Sequence, residues 1–382
     1  MKTIKPYLAL IFTLILTLSV CFVCAADESD EYELPSEFVD FLDGIPEDVA
    51  ALLPDSLFST DGESVENAVG EMSNFSYLLR TTLTLFGANI DECVKVLASV
   101  SGLLLLCAIC RALQNAFQSD TVAKAFSFCT TLVITLGLFA QSYNCLTSVT
   151  EYLTTLTTVS TAAIPLICIL YAMGGNAGAA AATSSGLTVF LTVLEEAVGK
   201  TILPFCGFCM AFAMMQALNP SLRLGTLIST IKKNYTTVLA FLMMLLLAML
   251  GAQTTLAARS DTIAMKSVKF AAGNLIPVVG GSVSELLRTV STGVEYLRGT
   301  AGICGVLLLL LMLLPTLTEL LLMRLTWQLL ASVADLLGCD GEKKLLDEFA
   351  SLLGYLITAV SICSSVLLLS LALLTHCTAA IG

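Results

Sequence analysis

Histidine is almost missing from this chain: its 382 residues include one, His376, beside the C-terminus. Catalysis or metal binding built on imidazole has nothing to work with. Charge is scarce too. Only 13% of residues are Asp, Glu, Lys or Arg, against about 25% in soluble domains. No GxxxxGK[ST] phosphate loop is present, so any nucleotide hydrolysis belongs to a partner. The long apolar runs lack aspartate at their centres, with Asp261 and Asp335 in connecting segments, which argues against a paired intramembrane aspartyl protease. No internal repeat is visible.

What fills the chain instead is apolar, at 57% of residues. One soluble core cannot hide that much, since cores stop growing near roughly 250–300 residues. The expected class is an all-α, polytopic helical membrane protein with a signal peptide and a small acidic extracytoplasmic helical segment.

The net charge of −12 is local. Residues 27–92 hold 17 of the 30 acidic side chains and one basic one, Arg80, whereas 93–382 are nearly neutral. Before them, Lys2 and Lys5 precede the run Tyr7–Val23, and small residues follow at Cys24-Ala25-Ala26. That is the pattern of a signal peptide, residues 1–26, cleaved after Ala25 or Ala26, with an uncleaved anchor as the alternative. Either reading places 27–92 outside the cytoplasm. This segment has no cysteine, so no disulfide staples it. Pro46 at a helix start, the Val49–Leu53 face ended by Pro54, and a start at Ser64 carrying Val65, Val69 and Met72 suggest short helices docking on a partner or on the membrane domain. A solvated acidic linker is the blander reading.

From Cys93 on, apolar runs at 94–112, 125–143, 238–256, 301–323 and 352–375 each approach the ~20 residues of a crossing. Residues 159–218 are cut by charge. Loop 219–235 carries Arg223, Lys232 and Lys233 without an acid and belongs inside, which requires an odd number of crossings before it. Three fit, at 159–175, 177–194 and 201–218, with Glu195-Glu196 outside. The total is about eight spans, range six to eight: membrane helices 1–6 in 93–257, an amphipathic pair in 258–300, and helices 7–8 in 301–382. The run Ala177–Gly186 reads either as a close helix–helix contact or as a flexible loop.

Residues 258–300 are too polar to span and too patterned for a linker. Asp261 can cap a helix that Gly273-Asn274 would stop. Ile276–Gly281, with Pro277, Gly280 and Gly281, forms a bend. Ser282 and Glu285 fit a capping box. Val283, Leu286, Leu287, Val290, Val294 and Leu297 line one face, with Glu285/Arg288 and Glu295/Arg298 on the other, an amphipathic helix suited to a bilayer surface or a neighbouring subunit. Lys266 and Lys269 read as contacts to lipid phosphate or an acidic partner, or as a solvated face.

The stretch Lys266–Gly281, KSVKFAAGNLIPVVGG, resembles the signature of the stage III sporulation protein AE family of endospore-forming bacteria. The likeness continues through Pro315 to a Leu-rich segment ending near Gly338 and covers residues 200–375. It implies a multi-pass subunit, without enzyme activity or cofactor, in the mother-cell membrane around the forespore. The implied partners are other stage III sporulation membrane proteins, a partner ATPase and a forespore-side channel partner, together forming a channel or secretion-like apparatus. Lipid is a further partner, and nucleic acid is not one. The assembly candidates are Lys266, Lys269, Gly273, Asn274, Pro277, Gly280, Gly281, Glu285 and Arg288.

The 14 cysteines include CxxC pairs at Cys107/Cys110 and Cys206/Cys209. In apolar helices these read as small hydrophobes rather than metal ligands. Glu319, near the end of its span, is the intramembrane polar candidate, and Trp327 beside Arg324 reads as an interfacial anchor. A small-molecule permease is the alternative function, kept alive by Pro165, Gly174-Gly175 and Pro204 as helix interruptions.

Overall fold

The computed structural model describes residues 42, 45, 47–58, 62–117, 120–173, 177–218, 224–275 and 280–376, and these contain helices and turns but no strand. The expected signal peptide, 1–26, lies outside them. The elements are α1 (Glu47–Ala50), a 3₁₀ turn (Asp55–Phe58), α2 (Gly62–Ser73), α3 (Phe75–Phe117), α4 (Asp120–Met173), α5 (Ala177–Leu194), α6 (Lys200–Leu218), α7 (Gly225–Leu275), α8 (Gly280–Leu336) and α9 (Asp340–His376). A π-helical turn, Glu195–Gly199, joins α5 to α6.

Six of these helical rods are long and apolar enough to cross a membrane. The described residues thus hold six candidate spans, the lower end of the expected six to eight, because runs that the sequence divides join into continuous helices. α4 has 54 residues, about 80 Å at 1.5 Å per residue, and joins the runs 125–143 and 159–175. An unbroken rod crosses about 30 Å of hydrocarbon once. The intervening 144–158, which separates two of the expected spans, is helical because its own apolar side chains find partners: Val149, Tyr152, Leu153 and Leu156 are buried. Likewise 177–194 and 201–218 become one rod through the π turn, with Glu195 and Glu196 in mid-rod and Glu196 paired to Lys200. Pro165 and Pro204 lie inside helices. Each removes one backbone donor without ending its helix, as spanning helices tolerate. Six and eight have the same parity, so the charge rule still puts 219–235 on the inner side.

The described part of the acidic segment packs onto the spanning helices. Leu42, Ile45, Val49, Leu53 and Leu57 are buried with Val65, Val69 and Met72 of α2 in one cluster. Fully burying such a side chain is worth about 1.5–3 kcal/mol. Tyr77 of α3 donates its hydroxyl to the Leu52 carbonyl at 2.8 Å, and α2 packs on α8. The expected boundary at 92/93 falls inside α3.

α8 and α9 pack most extensively on each other and form the centre. In their apolar windows 78% and 72% of residues are buried, against 22–33% in the other four spans. The peripheral rods keep large apolar side chains exposed, such as Leu83, Leu106 and Ile109 on α3 and Val238, Phe241 and Met244 on α7. That surface suits lipid or a neighbouring subunit. The small-residue run proves to be a helix contact. Ala179 and Ala180 of α5 are buried with Ile167 of α4 and Leu250 of α7.

The α8–α9 link is three residues, although the apolar runs 301–323 and 352–375 stand 28 residues apart in sequence. Gly338 adopts φ +70°, and Cys339 N donates to the Ala334 carbonyl at 2.8 Å while Gly338 N donates to Asp335 at 3.0 Å. These bonds define a Schellman stop with glycine at the left-handed position. The Cys339 carbonyl then accepts from Lys343 N at 2.9 Å, so the same residue caps α9.

Candidate functional site

The assembly candidates sit on the extensions of two rods. α7 passes its spanning window, Gly225–Ala252, and continues to Leu275, while α8 begins at Gly280, ahead of its window Ile303–Leu336. No separate helix starts at Asp261, and Gly273-Asn274 is traversed rather than a stop. Lys266 and Lys269 lie three residues apart on α7. Gly280 and Gly281 open α8, which carries Glu285 and Arg288. Pro277 falls outside the described residues, as do the side chains of the other candidates in this stretch. Each extension, 253–275 and 280–302, reaches about 35 Å past its window, more than the thickness of the hydrocarbon core.

Glu319 lies on α8 within the bundle. It is half-buried and accepts a hydrogen bond from Ser148 of α4 at 3.2 Å. Nothing in the linear pattern singles out Ser148, which lies between two of the apolar runs. A second link between the same layers joins the buried Tyr152 hydroxyl on α4 to Ser364 Oγ on α9, at 2.6 Å. Lys232 of α7 reaches Glu348 of α9 at 3.0 Å. Polar bonds thus tie the central pair to α4 and to α7. In a bundle where lipid and core are equally apolar, such bonds fix which helix faces meet.

Two aromatic and basic residues differ from expectation. Trp327 is fully buried and stacks on Phe349, with ring centroids 5.7 Å apart, so it is a core residue and not an interfacial anchor. Arg324 is 4% exposed, and its guanidinium lies where a Cβ on Gly354 would meet it at 3.0 Å. The absence of a side chain at 354 lets the arginine lie flat against α9.

Cys206 and Cys209 are both buried in α6 at ordinary i,i+3 helix positions. Cys107 has other company. Its Sγ, the Cys339 Sγ and a Glu342 carboxylate oxygen all lie within 4.8 Å of one another, a grouping that linear spacing hides.

The family profile for stage III sporulation protein AE matches residues 62–378. It takes in α2 and α3, which lie ahead of residues 200–375. The stage III sporulation protein AE of Bacillus subtilis (strain 168) is 27% identical over 300 residues, covering 78% of this chain and 72% of that protein. No solved structure matches the chain.

Proposed function

Because this chain belongs to the stage III sporulation protein AE family, we propose that it is a non-enzymatic membrane subunit of a channel or secretion-like complex joining mother cell and engulfed forespore. Its place is the mother-cell membrane around the forespore, reached through the signal peptide. Its partners are the other stage III sporulation membrane proteins, an ATPase that supplies the energy, and a forespore-side channel protein.

The observation that carries this reading is the division of the bundle into a buried pair and an apolar rim. α8 and α9 bury most of their apolar windows, α8 exposing Leu325, Leu329 and Leu336 toward its C-terminal end, whereas the windows of α3, α4, α6 and α7 are mostly uncovered and leave large hydrophobic side chains exposed. A subunit that assembles laterally in a membrane needs such a rim. The extensions of α7 and α8 beyond the hydrocarbon provide reach toward a partner, and the cationic Lys266 and Lys269 on one of them suit an acidic partner or lipid phosphate. A permease needs polar groups converging near the midplane. Here the run Val306–Leu314 fills the centre with nine consecutive buried apolar residues, which supports the subunit reading over the transport one.

The test is genetic and biochemical. A null strain is expected to complete engulfment and then arrest, and an affinity-tagged chain is expected to bring down neighbouring sporulation membrane proteins. Normal spores from the null strain would overturn the proposal. Solute uptake by the purified chain alone in liposomes would favour the permease.

A further inference from the structure

We propose that Cys107, Cys339 and Glu342 form a metal site for a zinc-type divalent ion, binding α3 to the α8–α9 turn. The three residues reach one point by different routes. Cys107 comes from α3, Cys339 is the last residue of the α8–α9 link, and Glu342 lies in the first turn of α9. They are 2%, 0% and 0% exposed, and their ligand atoms lie within 4.8 Å of one another. The Cys107 thiol is 3.5 Å from Glu342 Oε1, close to the sulfur–oxygen edge of a tetrahedral zinc site, which is about 3.5 Å for bonds of about 2.3 and 2.0 Å. Thr131 of α4, also buried, donates its hydroxyl to the same carboxylate oxygen at 3.1 Å. It stands where it can orient the carboxylate as an outer partner, and a water can complete four-coordination.

The donor set selects the metal. Two thiolates with one carboxylate suit zinc and disfavour magnesium and calcium, which take oxygen ligands. Binding releases two protons, one from each thiol, as two sulfur–zinc bonds form; the carboxylate adds an oxygen–zinc bond with no proton change. Two thiols and a carboxylate carry −1, and zinc with two thiolates and a carboxylate also carries −1, so uptake adds no charge to the buried site. The site lies where α3 nears its C-terminus, α4 has just begun and α8 turns into α9. The basic residues Arg111 and Lys124 near that end assign it to the cytoplasmic side, where thiols stay reduced.

The Schellman turn gives the arrangement its rigidity. Gly338 at φ +70° and the Cys339 N–Ala334 O bond fix Cys339 against the end of α8. The three-residue step to Glu342 then places thiol and carboxylate on the same side of the first turn of α9. A plain helix-capping role for Glu342 is the competing explanation, and it makes a different prediction, because Gln serves in a capping box as Glu does.

The full-length chain is purified in detergent after growth with zinc, and its metal content is measured by elemental analysis. About one Zn2+ per chain is expected for a single tetrahedral site. Cys107→Ser, Cys339→Ser and Glu342→Gln should each lose most of it, whereas Cys206→Ser/Cys209→Ser should keep it. Co2+ added to the metal-free wild-type chain should give thiolate charge-transfer and tetrahedral d–d absorption, a readout that does not depend on any variant folding. A wild-type chain without zinc and without the Co2+ spectrum overturns the site. So does zinc retained in full by folded Glu342→Gln and Cys339→Ser chains, which would locate the metal elsewhere.

Discussion

Lys232 and Glu348 are 116 residues apart in sequence and form an ion pair inside the bundle. Lys232 Nζ lies 3.0 Å from Glu348 Oε2 and donates to the Glu348 main-chain carbonyl at 3.1 Å. The lysine side chain is 2% exposed and its partner 25%, and the Tyr355 ring lies 5.9 Å from the ammonium. A residue that reads as part of a positive surface loop is therefore a buried clamp between α7 and α9.

Removing one partner of a buried pair strands the other charge. Lys232→Ala and Glu348→Ala are each expected to lower stability by about 3 kcal/mol or more, whereas Lys232→Met/Glu348→Leu costs far less. Denaturant unfolding in detergent measures this, with Lys232→Ala/Glu348→Ala closing the double-mutant cycle on the two single variants. Additive single effects would show that the pair is not coupled.

Arg324 and Gly354 make the second prediction. A methyl group at 354 would sit 3.0 Å from the guanidinium carbon, and a buried arginine has little room to withdraw. Gly354→Ala is expected to be net destabilising by about 1 kcal/mol, overpacking outweighing the gain in helix propensity of about 1 kcal/mol. Gly87→Ala, at a helical position with nothing within 4 Å, should keep that gain. Thermal melts of the two variants compare them directly, and equal shifts would exclude the clash.

Topology gives a third. In a six-span bundle Ala172, at the C-terminal end of α4, lies on the outer side, whereas eight spans put it inside. Ala172→Cys, in a chain whose cysteines with side chains exposed or outside the described residues (Cys129, Cys21, Cys24, Cys110 and Cys377) are replaced by Ser, should react with a membrane-impermeant thiol reagent from outside. A site that reacts only after permeabilisation would restore the eight-span count.

The fourth prediction concerns the α7 extension. Lys266→Glu/Lys269→Glu is expected to reduce recovery of partner membrane proteins in pull-downs at least tenfold, the scale of a lost charge-complementary contact of about 1.4 kcal/mol or more. Membrane insertion should be unchanged. Full recovery of partners in that double variant would remove these lysines from the interface.

Much of this was legible in the chain. The short helices before residue 75 could be read from Pro46, Pro54 and the Val65/Val69/Met72 spacing, because an amphipathic face and its stop signals are local properties. The α8–α9 turn was less legible, although Gly338 stands directly after an apolar run and carries the signal of a helix stop. Glu319 was visible as an acid in an apolar segment, but its partner Ser148 was not, since 171 residues separate them.

Sequence by itself determined that the chain is an apolar multi-span helical protein, that its acidity belongs to one N-terminal segment, and which family it joins. Those are matters of composition, charge order and local motif. Tertiary structure alone decided which rods are core and which are rim, because a leucine-rich helix has the same composition whether it faces protein or lipid. It also decided that 144–158 continues a helix, since partners such as Ser364 for Tyr152 exist only once distant segments pack. The meeting of Cys107 with Glu342, 235 residues away, is of the same kind: helix periodicity places each side chain on a face, and only packing brings the two faces together.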